Sequence, residues 1–223
     1  MANIFQTRYI QNSQTKNQNR FTLRFLNLDQ VLQRAKNHRI QSVRNIYAAA
    51  ESVLKRDNFD FAQTLELGLL SVNAPTITIE KQRIWRFNDS VGATTKFAEP
   101  EDMAVTFIDY VNGSPSAILK VWHSLVGDKT TGYMGFKEEY ILEKAHLYKY
   151  GPDASGYTEE EIASSYLEKH EIINLHPLSV PIGEMSYENG EAIRIEAQFS
   201  IDNIYVVDYQ GYIKDNAGNF RVG

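Results

Sequence analysis

Between Val180 and Asp202 the chain reads VPIGEMSYENGEAIRIEAQFSID, and its second half alternates strictly. Ile193, Ile195, Ala197, Phe199 and Ile201 fall on one side of an extended chain. Arg194, Glu196, Gln198, Ser200 and Asp202 fall on the other. A period of two predicts a strand with one face in a core and one facing water or a partner. Asn189-Gly190, just before it, is a strong hairpin signal, and Pro181 with Gly183 predicts a corner.

The same period recurs upstream. RFTLRFL (Arg20–Leu26) predicts a first strand. In FDFAQTLELGLL (Phe59–Leu70), Phe59, Phe61, Leu65, Leu67 and Leu69 share a side, so a strand is expected there too. TITIEKQRIWRF (Thr76–Phe87) is rich in β-branched and aromatic residues and predicts a long strand. Asn88–Lys96 predicts a polar loop. Further strands are expected over Asp102–Val111, Tyr140–Tyr150 and His170–Val180, with Pro177 marking a sheet edge, a bulge or a strand end. Ile204–Ile213 is a candidate last strand.

Two regions carry helical spacing. Leu32, Lys36, Ile40, Val43, Tyr47, Ala50 and Leu54 step by three or four, predicting one helix over about 28–55 with Asn27 as its cap. Ile118, Leu119, Trp122, Leu125 and Val126 form one face of a shorter helix opened by Ser114-Pro115 and closed by Gly127. Thr158 and Glu161 match a capping box, so a short helix is expected there.

Residues 1–19 are polar and predict a flexible lead-in, 20–213 a single domain, and 214–223 a tail. Hydrophobic content of 43% in 223 residues suffices for a core. The N-terminus has no apolar stretch of the kind a secretory signal carries, and no run is long enough to span a bilayer.

Charge is uneven. Residues 1–58 hold ten Lys/Arg against three acids, a net of +7, which leaves −12 for the rest of a chain of net charge −5. The basic first quarter fits either nucleic acid or an acidic protein surface of the same or a neighbouring subunit.

Chemistry is sparse. There is no cysteine, which excludes disulfides, thiolate metal sites and a cysteine nucleophile. His170 and His176 share strand parity but stand about 20 Å apart along it, too far for one metal. HEIINLH departs from the helical zincin motif, and VGDKTTG has Asp128 where a phosphate loop needs glycine. Glu159, Glu160 and Glu161 fit the first turn of a helix. Thirteen Tyr, eleven Phe and two Trp sit mostly at core parity in strands. No catalytic residue, metal ligand or cofactor site emerges: cofactors none, and no enzyme.

The order of these elements resembles the tail-tube proteins of contractile-tailed bacteriophages. The match is carried by HPLSVPIGEMSYENGEAIRIEAQFSID, with its Gly183-Glu184-Met185-Ser186-Tyr187 and Glu191–Asp202 portions. MAVTFIDYVNGSPSAILKVWHSLV, LLSVNAPTITIEKQRIWRFNDSVGATTK and RFTLRFL add to it. It covers roughly 20–26 and 59–202. The helix at about 28–56 and residues 151–169 look like additions to the family pattern.

The resemblance implies a mainly β fold with flanking helices (α+β). In it an antiparallel sandwich or barrel joins its strands into a hexameric ring, and rings stack into a tube. It implies a virion structural protein whose partners are copies of itself, a sheath outside, a tape measure protein and then phage DNA in the lumen, and baseplate and terminator proteins at the ends. The tube of a phage-derived contractile injection system shares the pattern, as do tube initiators and terminators. Candidate interface residues are Asn88, Asp89, Val91, Thr94, Thr95 and Lys96 in the polar loop. Arg194, Glu196 and Gln198 join them on the polar strand face. A nucleic-acid-binding module using the basic helix is the alternative from a different class.

Overall fold

The computed structural model describes residues 21–54, 60–76, 78–86, 89–97, 102–109, 114–150, 166–181, 193–209, 213–214 and 220–221. The predicted lead-in, the Asn189-Gly190 turn, Gly183 and the Thr158–Glu161 helix lie outside them.

In chain order the elements begin with β1 (Phe21–Phe25), α1 (Leu28–Lys36), α2 (Gln41–Leu54), α3 (Phe61–Gly68) and β2 (Leu69–Asn73). Next come β3 (Ile79–Arg86), β4 (Asp89–Phe97), β5 (Met103–Ile108), α4 (Ser114–Val126), β6 (Gly127–Asp128) and β7 (Tyr133–Met134). The chain continues through α5 (Lys137–Tyr140), β8 (Leu142–Tyr150), β9 (Tyr166–Ser179), β10 (Arg194–Ser200) and β11 (Asn203–Tyr209). It ends with β12 (Ile213–Lys214) and β13 (Phe220–Arg221).

The fold is mainly antiparallel β with helices. One seven-stranded sheet runs β1-β8-β9-β10-β5-β2, with β11 also on β9; β3-β4, β6-β7 and β12-β13 are separate two-stranded ribbons. That path has two ends, β1 and β2, so the described residues of one chain form an open sheet where a closed barrel was among the expectations.

By compactness the chain divides into a larger unit, Leu23–His146 with Glu171–Tyr205, and a smaller one, Met1–Thr22 with Leu147–His170 and Val206–Gly223. The core of the larger unit follows the predicted alternation. Ile195, Ala197 and Phe199 of β10 and Met103, Val105 and Phe107 of β5 are fully buried. Arg194 pairs with Ile108, Glu196 with Thr106 and Gln198 with Ala104. Against this face lies α4, whose Ile118, Leu119, Trp122 and Leu125 are fully buried, as predicted. Asp109 serves the start of α4, its Oδ1 accepting from the Ser116 amide at 3.2 Å.

Pro177 sits at a bulge, one of the three places its sequence allowed. Gln198 faces Ser179 and Phe199 faces Pro177, so Leu178 is the extra residue. A proline has no amide proton to give the ladder, and a bulge is where a strand between two neighbours tolerates it. The strand is further bent at Asn174, whose φ of 59° is left-handed.

Four expectations are overturned. The single helix over 28–55 is two, broken at 37–40. Asn27 stands at the start with φ 61° and caps with no side-chain bond; its own carbonyl accepts from Gln30 and Val31. The strand expected over Phe59–Leu70 is α3 followed by β2. Here Asp29 Oδ1 accepts from the Phe61 amide at 2.9 Å, which answers an orphan donor of a helix start. Thr64, Leu65 and Gly68 are buried at helical spacing while Leu67 is 62% exposed. Gly68 allows the close fit, since a Cβ there would lie 3.2 Å from Pro115 and from the Ile108 carbonyl. Finally, the polar loop expected over Asn88–Lys96 is, from Asp89 on, strand β4, hydrogen-bonded to β3.

The smaller unit contributes an aromatic and charged cluster. Tyr148 stacks on Tyr150 at 6.4 Å and meets Tyr166 edge-on at 5.5 Å. Lys149 and His170 both reach Glu168, at 3.2 and 3.4 Å. Ile213 and Lys214 pair with Arg221 and Phe220, so the expected tail contains a strand.

Candidate assembly surfaces

The residues singled out in the polar loop form one arm of a β ribbon. Lys81 pairs with Thr94, Gln82 with Ala93, Arg83 with Gly92, Ile84 with Val91, Trp85 with Ser90 and Arg86 with Asp89. Asn88 lies outside the described residues. For Asp89, Val91 and Thr95 the strand path alone is described, and Thr94 and Lys96 are exposed.

Every described side chain from Ile79 to Trp85 is exposed. Ile79 is 50%, Ile84 45% and Trp85 71% exposed. By strand parity Lys81, Arg83 and Trp85 share a face, and across from them stand the small Thr94, Gly92 and Ser90. The ribbon holds four Lys/Arg (Lys81, Arg83, Arg86, Lys96) against Glu80 and Asp89, in a chain of net charge −5. Lys96 and Glu80 approach to 3.7 Å with both side chains largely in solvent, so their pairing adds little stability. A lone two-stranded ribbon is marginal in water.

The second group, Arg194, Glu196 and Gln198, lies on the exposed face of β10, in register with Ile108, Thr106 and Ala104 of β5. Ser71 and Asn73 of β2 pair with Thr106 and Ala104. The face is polar, with one cation and one carboxylate among these eight positions.

A polar cluster that no sequence pattern announced forms where the α1–α2 break meets the β6–β7 hairpin. His38, only 7% exposed, has its Nε2 3.0 Å from the Tyr133 hydroxyl. Tyr133 donates to Glu139 Oε2 at 2.6 Å, and the Phe136 amide donates to the same oxygen at 3.1 Å. The Arg39 guanidinium lies 5.0 Å from the Tyr133 ring centroid and 5.8 Å from that of Phe136. Burial holds the His38 imidazole below its ordinary pKa, and the Tyr133 hydroxyl holds Glu139 below its own. The hairpin turn is pinned by Asp128, which accepts from Ser42 and from the Thr130 amide; these bonds keep its carboxyl acidic, Ser42 first.

Some of the early cations are held by contacts around this cluster. Arg34 donates to the Glu138 carbonyl, Arg44 to the His38 carbonyl, and Lys36 lies 3.6 Å from Glu51. Arg34 thus meets α5, while Arg44 and Lys36 find their partners within the basic segment itself. Among the described residues no group of three His, Asp or Glu is arranged to hold a metal ion, and no helix is long and apolar enough to cross a membrane.

Neither a family description nor a curated protein matches the sequence. Among solved structures, the chain is similar to the tube-terminating cap of the anti-feeding prophage, with 8% identity, 62% of this chain and 78% of that one covered, and a TM-score of 0.46. It is also similar to a chain of the extended sheath–tube complex of an extracellular contractile injection system, at 9% identity, 62% and 79% coverage and a TM-score of 0.45. A third is Hcp1 from Salmonella typhimurium, at 14% identity, 61% and 67% coverage and a TM-score of 0.30. Likeness at this level carries no residue-by-residue correspondence.

Proposed function

We propose that the chain is a structural tube subunit that assembles with copies of itself into stacked rings and turns over no substrate. The observation that carries this reading is the β3–β4 ribbon. It spends eight residues of β3 and nine of β4 on a two-stranded sheet that leaves Ile79, Ile84 and Trp85 in solvent. Burial against a second copy supplies the third layer such a ribbon needs, and its excess of cations complements the excess of acids in the rest of the chain.

The element order of the sequence supports the phage tail tube as the particular form: a conduit for DNA ejection in the virion, with sheath outside, tape measure and then DNA inside, and baseplate and terminator at the ends. The polar, nearly charge-balanced face of β10, β5 and β2 suits a wall past which a polyanion slides, because it offers few cations to hold phosphate. The tube of a contractile injection system is the same reading in another particle, distinguished by whether capsid proteins accompany it.

Negative-stain microscopy of concentrated full-length protein tests the reading. Rings or tubes are expected for the unaltered chain, and Trp85→Ser is expected to abolish them while leaving the circular dichroism spectrum of the subunit intact. Monomers alone under all conditions, together with absence from purified particles, would sink it.

A further inference from the structure

His38 is enclosed at the break between α1 and α2, and its two ring nitrogens do opposite work. Nδ1 accepts from the Ile40 amide at 3.2 Å. An amide N–H can only donate, so this nitrogen carries no proton. The ring's single proton therefore resides on Nε2 and is donated to the Tyr133 oxygen at 3.0 Å. Tyr133 passes its own proton to Glu139 Oε2 at 2.6 Å. The chain of donors runs one way, imidazole to phenol to carboxylate, and is complete with a neutral histidine.

A second proton has one place to go, Nδ1, where it would point at the Ile40 N–H. Two donors would then face each other in a buried setting, and the residue that leads into α2 would lose its bond. Ile40 is also the residue whose carbonyl accepts from the Arg44 amide at 3.3 Å in the first turn of that helix.

We propose that His38 is an acid-sensitive latch: a proton gained at Nδ1 releases the 37–40 break, and with it the start of α2, from the β6–β7 hairpin and α5. The charged and titratable groups facing it can be named element by element. Tyr133 comes from β7 and Glu139 from α5; Arg39 is its neighbour in the break; Arg44 from α2 donates to its carbonyl. Glu139 favours the charged ring. Burial opposes it most strongly, followed by Arg39 and Arg44. The folded state therefore prefers the neutral ring, so the latch is fully closed above the ordinary histidine value of 6.5 and is lost as pH falls below it. Glu139, held acidic by Tyr133, stays ionised through that window. The latch stands independently of the assembly reading.

The test is hydrogen exchange of the full chain between pH 8 and 5, corrected for the intrinsic pH dependence of exchange, with nitrogen-15 spectra of the histidine rings. The Nε2–H tautomer is expected for His38 at pH 8. Peptides covering 37–46 should lose protection along the His38 titration, while those of β5 and β10 keep theirs. His38→Asn places a neutral acceptor where Nδ1 stood, and should flatten the pH dependence at 37–46. Glu139→Gln removes the one charge favouring the imidazolium, and should move the His38 titration to lower pH. An Nδ1–H tautomer, or protection of 37–46 unchanged while His38 titrates, would overturn the proposal. So would an undiminished pH dependence in His38→Asn.

Discussion

Trp122 of α4 and Phe199 of β10 meet with ring centroids 5.6 Å apart and planes inclined at 55°. This contact joins the helix packed on the sheet to one of its inner strands. Phe25 of β1 closes the other side of the indole, edge-on at 6.1 Å, and the Trp122 Nε1–H donates to the Tyr140 carbonyl at 2.7 Å. The indole is fully buried, so Trp122→Ala is expected to cost about 3–5 kcal/mol. Trp122→Phe keeps much of the packing but strands the Tyr140 carbonyl, a loss of about 1–3 kcal/mol. Urea denaturation followed by circular dichroism of the unassembled subunit checks both; a Trp122→Phe variant as stable as the unaltered chain would show that the hydrogen bond contributes nothing.

Asp29 offers a cleaner separation of charge from hydrogen bonding. Its Oδ1 accepts from the Phe61 amide, while burial pushes its carboxyl above the ordinary value and Asp60 adds to this. Asn has the same acceptor without the charge. Asp29→Asn should therefore be neutral or stabilising at pH 7, whereas Asp29→Ala should cost about 1 kcal/mol, the usual worth of a helix cap. Thermal melts of the two variants decide it, and an Asn variant as damaged as the Ala variant would contradict the capping role.

Two glycines should respond in opposite ways to the same change. A Cβ at Gly135 would fall 2.1 Å from the Leu125 carbonyl oxygen, whereas one at Gly92 meets nothing within 4 Å. Gly135→Ala is expected to destabilise the subunit by about 1–3 kcal/mol, as overpacking does. Gly92→Ala should leave subunit stability unchanged. Its effect on the assembly proposed above, read by microscopy, tests the part given to the ribbon.

Acid stability should depend on Asp202. Lys137 donates to both of its oxygens, at 3.0 and 2.7 Å, and Asn174 to one at 2.7 Å. Lys137 first and Asn174 second keep the carboxyl below its ordinary 3.8. A lowered folded value means that this stabilisation is present above 3.8 and lost as pH falls through the folded value. Lys137→Met should shallow the loss of stability below pH 4, measured as urea midpoints across the acid range.

What was legible in the chain, and what was not, follows from how far each signal reaches. Strands β5 and β10 and helix α4 could be read because alternation and helical spacing report burial by a single large core. The 61–68 segment misled for the opposite reason. Its Phe61, Leu65, Leu67 and Leu69 alternate, but the deciding interactions come from Asp29 and from the seat of Gly68 against Pro115, both distant in sequence. The break at 37–40 is likewise enforced by Tyr133, about which residues 28–55 say nothing. Of the nominated interface positions, the stretch over 88–96 was read as a loop, whereas from Asp89 on it is strand β4. Polar composition hid a strand whose Gly92, Thr94 and Lys96 are exposed.

That same ribbon separates two kinds of inheritance. Because among the described residues β3 and β4 pair with each other and with no other strand, lengthening or shortening both arms together leaves the seven-stranded sheet undisturbed. Each pair of residues added per arm extends the reach by about 7 Å and returns every side chain to its former face. On the proposed reading, variation there tunes which neighbour is accepted, while Trp122, Phe199 and their surroundings stay under the separate demand of folding.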